Sequence, residues 1–332
     1  MNSLNYLVKT LFISLIIFSS EITNGYSQYS KITDYQVYFG VAKKDKEYLI
    51  IIRKFTKDQK EYFLLVNPFD LKTKIILINE CKYIESGLDK IKPWFSKSAY
   101  FRSLNDSKEN AMKMQDAGIT HSLPSETGII LTIDLCPSEH PLNRKIFTSL
   151  IEALKDTELP VPIAIAISGH WINKHPQDLE WLKELQSKGV VNITWINHSL
   201  NHYYNKKLPL ENNFMLNNKT NVKNEILGNE KLMIINGLEP SVFFRFPGLI
   251  SNNELLDTVC SYGLITIGSD AWLAKGGKVN NGSIVLIHGN GNDHIGVSKF
   301  IKLINSKKPE ELKKSWLLFD LRESIEEEYI KN

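Results

Sequence analysis

The stretch "GIILTIDLCPS", residues 128–138, decides the fold of this chain. Its first part is an apolar run broken only by Thr132 and Asp134, which is typical of a strand buried in a parallel sheet. Residues 141–156 follow with apolar positions at helical spacing. The stretch therefore predicts one strand–helix unit, with polar residues placed where the strand ends.

The same alternation of strand and helix continues for the next 150 residues or so. Further strands are predicted at 161–168, 191–198, 241–248, 264–270 and 282–289, with helices at 176–189, 222–237 and 252–263. Such alternation implies parallel βα units, and about six of them predict an α/β fold with a distorted or incomplete (β/α) barrel. Residues 123–305 are assigned to this barrel and residues 306–332 to a C-terminal helical tail.

The region before the barrel has a different pattern. Residues 28–122 contain short apolar or alternating runs separated by polar stretches such as "KKDK" and "TKDQK", which predicts a small antiparallel β-rich domain. Residues 1–27 combine Lys9, a ten-residue apolar run and a polar exit, which is typical of a secretory signal peptide. The body of the protein is therefore expected to be secreted or periplasmic, with membrane attachment only through an uncleaved N-terminal segment.

The bulk composition excludes some classes of protein. The 332 residues carry a formal net charge of only +3, which gives no sign of a nucleic-acid-binding surface. The three cysteines, Cys81, Cys136 and Cys260, are widely spaced and do not form the pattern of a disulfide-rich domain.

Polar side chains stand at the predicted carboxyl ends of the barrel strands. They are Asp134, Ser168, His198 with His202, Arg245, Asp270 with Trp272, and His288. Because the carboxyl ends of parallel strands meet at one mouth of a barrel, these side chains are expected to converge there. The histidine pair in "HSLNH" would present both rings on one face if the segment turned helically.

The order of these motifs resembles the polysaccharide deacetylase family, the NodB-homology domain of carbohydrate esterase family 4. The five motifs are "TIDLCPS" from Thr132, "HSLNH" from His198, "RFPG" from Arg245, "SDAWL" from Ser269 and "VLIH" ending at His288. The resemblance covers about residues 128–303. It implies a divalent metal, most often zinc, bound by His198 and His202.

The resemblance also implies catalytic roles. Asp134 would be the general base that activates water, His288 the acid that protonates the leaving amine, and Arg245 the residue that orients the base, with Asp270 or Asp134 as its partner. Gly248 would offer its backbone N–H to the developing oxyanion, and Trp272 would form a wall of the substrate pocket. Each residue also has a structural interpretation, as a helix cap, a buried ion pair or a packed ring.

One departure from the family pattern concerns the metal. The family's third ligand is a second aspartate in the first motif, and Leu135 occupies that position here. Asp134 could turn to the metal, the thiolate of Cys136 could bind it, or the metal could be held by two histidines and water, or be absent.

The leading hypothesis is a secreted, metal-dependent deacetylase that removes acetyl groups, N-acetyl in preference, from an acetylated polysaccharide or peptidoglycan. The alternative is a carbohydrate-binding pseudoenzyme, motivated by Leu135. A third hypothesis makes the β-rich region 28–122 a docking module for a partner.

Overall fold

The computed structural model describes residues 31–109 and 114–330. The predicted signal peptide, residues 1–27, lies outside the described residues. Within the described ranges, no helix has both the length and the apolar character needed to cross a membrane.

The first structural layer is a five-stranded antiparallel sheet. Its strands are β1 (Ile32–Lys44), β2 (Glu47–Lys57), β3 (Lys60–Val66), β4 (Thr73–Leu77) and β5 (Lys82–Glu85), in the order β4-β3-β2-β1-β5. Two-residue turns join β1 to β2 and β2 to β3, and Asp45, Asp58 and Gln59 have positive φ angles in them. The sheet confirms the predicted β-rich N-terminal region.

Two helices and an extended segment connect this sheet to the second layer. The helices are α1 (Leu88–Phe95) and α2 (Ala99–Glu109). Beyond them, Gln115, Ile119 and His121 form isolated bridges to Ile250, Ile267 and Ser283. This connecting segment, which the sequence prediction placed in the N-terminal domain, therefore lies along the second sheet.

The second layer is a parallel sheet covered by helices. Its strands are β6 (Gly128–Leu135), β7 (Val161–Ile167), β8 (Val191–Asn197), β9 (Phe243–Phe244), β10 (Ile265–Thr266), β11 (Ala271–Trp272) and β12 (Ile284–His288). They lie in the order β10-β9-β8-β7-β6-β12-β11, and the two end strands do not pair with each other within the described chain. The sheet is therefore an incomplete (β/α) barrel, as predicted.

Helices follow the strands of this sheet, and side chains from several of them pack on its outer face. The helices are α3 (Arg144–Leu154), α4 (Gly169–Lys174), α5 (Pro176–Ser187), α6 (Asn229–Ile235), α7 (Asn253–Ser261) and α8 (His294–Glu311). Leu131, Ile133 and Leu135 of β6 lie in one apolar cluster with Phe147 of α3 and Phe300 of α8. Alternate residues of β6 face the other way, which leaves Thr132 and Asp134 on the inner face.

The N-terminal sheet packs onto the barrel through a continuous core. Ile50 and Leu64 share an apolar cluster with Ile196 and Phe244 of the barrel. A fully buried ion pair crosses the same boundary, with Arg53 Nε 2.7 Å from Glu230 Oε2. The two layers are therefore joined by shared burial and by charge pairing.

The C-terminal segment extends the sheet. Within the predicted helical tail 306–332, β13 (Leu317–Leu318) pairs in parallel with Gly128 and Ile129 at the start of β6, and α9 (Leu321–Ile330) follows. A Cβ atom on Gly128 would collide with the backbone of Leu317, so glycine is required for this close approach.

A carboxyl pair beside β13, the half-buried Glu158 and the buried Glu311, predicts a pH-dependent stability. Burial and the neighbouring Glu311 carboxyl raise the pKa of Glu158 to about 8. The folded protein therefore retains a proton that the unfolded chain releases near its ordinary pKa. The free energy of unfolding should fall as pH rises from about 5 to 8, by at most about 1.4 kcal/mol per pH unit. Urea unfolding across this range should show the slope, and the Glu158→Gln variant should flatten it; an unchanged slope would contradict the assignment.

Candidate metal and catalytic site

The strand register brings the candidate residues together at the carboxyl ends of the barrel strands. Leu135 pairs with Ile167, Ile167 with Asn197, and Asn197 with Phe244, so the residues that follow these strand ends are neighbours. On the other side of β6, His288 pairs with Asp134. The predicted convergence of Asp134, His198, Arg245 and His288 is therefore observed.

Arg245 is fully buried and every guanidinium nitrogen has a partner. Its Nη1 donates to Asp134 Oδ1 at 2.8 Å and to Thr132 Oγ1 at 2.7 Å. Its Nη2 and Nε donate to the carbonyl oxygens of Gly268 and Ile267. A buried cation with this many partners is held in one orientation, and Asp134 is held with it. Thr132 could have been found from the sequence, since it lies two residues before Asp134 on the same strand face.

The rings of His198 and His202 lie close together, but the backbone between them does not form the helical turn that was expected. The centroids of the His198 and His202 rings lie 4.8 Å apart. Residues 198–202 are not helical; Ser199 and His202 have φ angles of 66° and 49°. The side chain of Asn197 accepts the Ser199 N–H, and this local hydrogen bond competes with a helical turn.

The donor atoms of this cluster suit a metal ion. His198 Nδ1 lies 2.9 Å from the Arg245 carbonyl oxygen, which can only accept, so Nδ1 carries the proton and Nε2 is left for a ligand. His202 Nε2 is buried and finds no hydrogen-bond partner in the described part of the chain. Cys136 Sγ lies 3.5 Å from His198 Nε2. Within the described residues, ligand atoms of Cys136, His198 and His202 lie within 4.8 Å of one another, as do those of Asp134, Cys136 and His288.

The charges of the cluster shift one another's protonation. Burial raises the pKa of the Cys136 thiol, but the three histidines around it outweigh burial and hold that pKa well below its ordinary value. Burial lowers the pKa of His198, and Asp134 and Cys136 more than reverse this effect. In the same way, burial lowers the pKa of His288, while Cys136, Asp293 and Asp134 together raise it to about 10.

Asp293 is a residue of the site to which the sequence assigned no role. Its Oδ2 accepts the backbone N–H of His288 at 3.1 Å and lies 3.8 Å from His288 Nδ1. Its Oδ1 accepts the N–H of Gly296 and caps α8. Asp293 therefore holds the backbone of His288 and places a carboxylate oxygen near its ring. Its position five residues after His288, just before a helix, was the available signal.

Trp272 lies at the site, whereas Asp270 lies away from it. The Trp272 ring lies 5.5 Å from the His288 ring, and this places Trp272 at the site. Asp270 instead lies beside the start of β12, where its carboxylate contacts His121 Nδ1 at 2.7 Å and accepts the Ile284 N–H. Of the two partners predicted for Arg245, Asp270 and Asp134, the structure shows Asp134. The reason is the strand register. Trp272 pairs with Leu286, so Asp270 lies beside the amino end of β12, whereas His288 lies at its carboxyl end.

Gly248 lies under an aromatic ring from another loop. A Cβ atom at Gly248 would lie 2.5 Å from the Phe214 ring, and the Gly248 φ angle is 64°. The Phe214 ring also packs on His202 and Tyr204, with centroids 5.7 and 5.2 Å away. Phe214 therefore places an aromatic wall directly against Gly248. The sequence carried no signal for it, because it lies 34 positions away in a loop.

The contact with Phe214 gives a matched pair of substitutions. Gly248→Ala should lower the free energy of unfolding by about 1–3 kcal/mol more than Gly189→Ala, because the added methyl group meets the Phe214 ring. Gly189 has a similar φ angle of 66° with open space around it, so it isolates the backbone cost. Urea unfolding measures both, and Phe214→Ala should relieve the difference. Equal losses in the two glycine variants would contradict the contact.

Comparisons with known proteins find a family model that matches part of the N-terminal region and solved structures that match larger parts of the chain. A family model described as the RP012 protein N-terminal domain matches residues 33–101. Similar solved structures include a family 4 carbohydrate esterase from Bacillus anthracis, with 20% identity over 67% of this chain and 91% of that one and a TM-score of 0.48. The Bc1960 peptidoglycan N-acetylglucosamine deacetylase has 17% identity over 62% and 91%, with a TM-score of 0.46. A mutant of the family 4 pseudoenzyme BA3943 with restored enzymatic activity has 15% identity over 91% and 95%, with a TM-score of 0.43.

Proposed function

We propose that this chain is an exported, metal-dependent deacetylase that hydrolyses acetyl groups of an acetylated polysaccharide or peptidoglycan. The observation that carries the proposal is the placement of a buried, arginine-held carboxylate between a histidine pair and a third histidine on the neighbouring strand. The pattern of residues 1–27 supports export, and the order of the five motifs supports the choice of reaction.

The proposed division of roles follows from the contacts. Asp134 presents Oδ2 to the cluster while Oδ1 is held by Arg245, so it can remove the proton from an attacking water. His288 lies on the strand beside Asp134, and Asp293 and Asp134 are among the groups that raise its pKa and favour the protonated form, which can donate a proton to the leaving amine. Asp293 keeps the His288 ring in place. A divalent ion held by the histidine pair would polarise the acetyl carbonyl and acidify the water.

Aromatic side chains around the cluster suit a sugar substrate. Trp272 lies beside His288, and Phe214 lies beside His202 with Tyr204 stacked on it. Tyr203 and Tyr204 are 42% and 59% exposed, which leaves ring faces available to an incoming ligand. Flat apolar faces next to polar groups are what a sugar ring requires, with its C–H face and its hydroxyl edge.

Acetate release is the direct test. The purified chain, loaded with zinc or cobalt, should release acetate from acetylated chitooligosaccharide or peptidoglycan, and His198→Ala should abolish the release. His140→Ala removes an exposed histidine outside the cluster and should leave the rate unchanged. Absence of acetate from the metal-loaded parent chain on both substrates would reject the proposal.

The second candidate function is a carbohydrate-binding protein without catalysis. The observation in its favour is Leu135, which is fully buried among apolar side chains on the outer face of β6. A ligand is missing at the position where the resemblance implies an aspartate. Glycan binding without acetate release and without bound metal would favour this function.

A further inference from the structure

We infer that Cys136 is the third protein ligand of the metal, which makes the site a cysteine and two histidines. This inference rests on the proposed metal site and answers the question that Leu135 raises. It is carried by the position of Cys136 directly after β6, by the separation of the donor atoms and by the partners of the competing residue.

The position follows from strand geometry. Successive side chains of β6 alternate between its two faces, so Asp134 faces inward and Leu135 points outward. Cys136 directly follows the strand, and its Sγ lies 3.5 Å from His198 Nε2. The Leu135 carbonyl accepts the Ser168 hydroxyl at 2.9 Å and the Ser168 N–H at 3.2 Å, which fixes the chain where Cys136 leaves the strand. A carboxylate at position 135 would point into the outer apolar cluster, whereas the sulfur at position 136 reaches the histidines.

The separation of donor atoms fits one tetrahedral ion. Bonds of about 2.3 Å to sulfur and 2.0 Å to nitrogen, at a tetrahedral angle, place the two ligand atoms roughly 3.5 Å apart. Cys136 Sγ and His198 Nε2 are separated by 3.5 Å. A ring nitrogen of His202 lies within 4.8 Å of both ligand atoms. His202 Nε2 is buried and has no hydrogen-bond partner in the described residues.

Asp134 is the competing ligand, and its contacts assign it elsewhere. One of its oxygens is 2.8 Å from Arg245 Nη1, and the other is 3.7 Å from His198 Nε2. A carboxylate paired with a buried arginine is a weaker donor to a metal than a thiolate that faces two imidazoles. With Cys136 as ligand, Asp134 keeps its oxygen for the proton of the water.

A sulfur ligand determines which ions the site accepts. One thiolate and two imidazoles favour zinc and cobalt over magnesium and calcium, which prefer oxygen ligands. The site should therefore differ in metal preference from one built with a carboxylate.

Cobalt spectroscopy tests the inference without relying on activity. The cobalt-loaded parent chain should show a sulfur-to-cobalt charge-transfer band in the near ultraviolet. Cys136→Ser should remove the band and weaken cobalt binding by at least about tenfold. Cys81→Ser, which changes a cysteine beside the N-terminal sheet, should leave both unchanged. Bound zinc should also protect Cys136 from alkylation by iodoacetamide, as read by peptide mass spectrometry.

The outcomes distinguish a wrong assignment of the third ligand from a wrong proposed function. A cobalt-loaded parent chain that releases acetate but lacks the band would overturn the inference and leave the function standing. Retention of the band in Cys136→Ser would also overturn it. Loss of cobalt from Asp134→Asn, with no band in the parent chain, would assign the third ligand to Asp134.

Discussion

Asp134→Asn should slow acetate release by about 10²- to 10⁴-fold, the contribution of a positioned general base. The amide keeps the shape of the carboxylate and can still accept from Arg245, but it cannot take a proton from water. Metal content should be retained, because Asp134 is not assigned as a ligand. Initial rates of acetate release at saturating zinc measure the effect.

The control for Asp134 is a second arginine-paired aspartate. Asp178 accepts from Arg144 at 2.8 Å in the outer helical layer, so Asp178→Asn should leave the rate unchanged. Asp134→Leu alone would leave the Arg245 cation buried and unpaired. The double variant Asp134→Leu with Arg245→Met removes both buried charges, so it should recover stability lost in Asp134→Leu while remaining inactive. An active Asp134→Asn protein would refute the role of Asp134 as the base.

Glu230→Ala should produce the largest loss of stability, about 3–5 kcal/mol in the free energy of unfolding. Its carboxylate accepts from Arg53 Nε at 2.7 Å, from Arg53 Nη2 at 2.8 Å and from the Tyr35 hydroxyl at 3.0 Å. Truncation would leave the Arg53 cation buried and unpaired between the N-terminal sheet and the barrel. Thermal or urea unfolding of the full chain measures the loss.

An exposed pair provides the comparison for Glu230. Glu180 is 2.6 Å from Lys183 on α5, and its side chain is 68% exposed. Glu180→Ala should therefore cost less than about 1 kcal/mol. Equal losses at the two positions would show that the N-terminal sheet is not held to the barrel by the buried pair.

The sequence predicts the convergence of the site well because parallel register does most of the positioning. Asp134, His198, Arg245 and His288 each stand at or just after a strand that pairs with its neighbour near that point. Side-chain alternation along β6 also explains why Thr132 joins them. These features depend only on the spacing of apolar residues and on the order of strands and helices along the chain, and both can be read from a single sequence.

The parts that failed or were missed depend on tertiary contacts. Asp270 was misplaced because a two-residue strand gives no local signal of its register. Phe214 was missed because nothing near Gly248 in the sequence shows which loop crosses it. The sequence left the third metal ligand open between Asp134 and Cys136, because the choice depends on the hydrogen bond that Arg245 donates to an Asp134 oxygen.

Metal content of the purified full chain tests the central claim most directly. After reconstitution with zinc and removal of free ions, mass spectrometry should find one zinc per chain in the parent protein and in Asp134→Asn, and little in His198→Ala or His202→Ala. This result would show one metal centre with a separate base. A parent chain that holds no zinc would contradict the account.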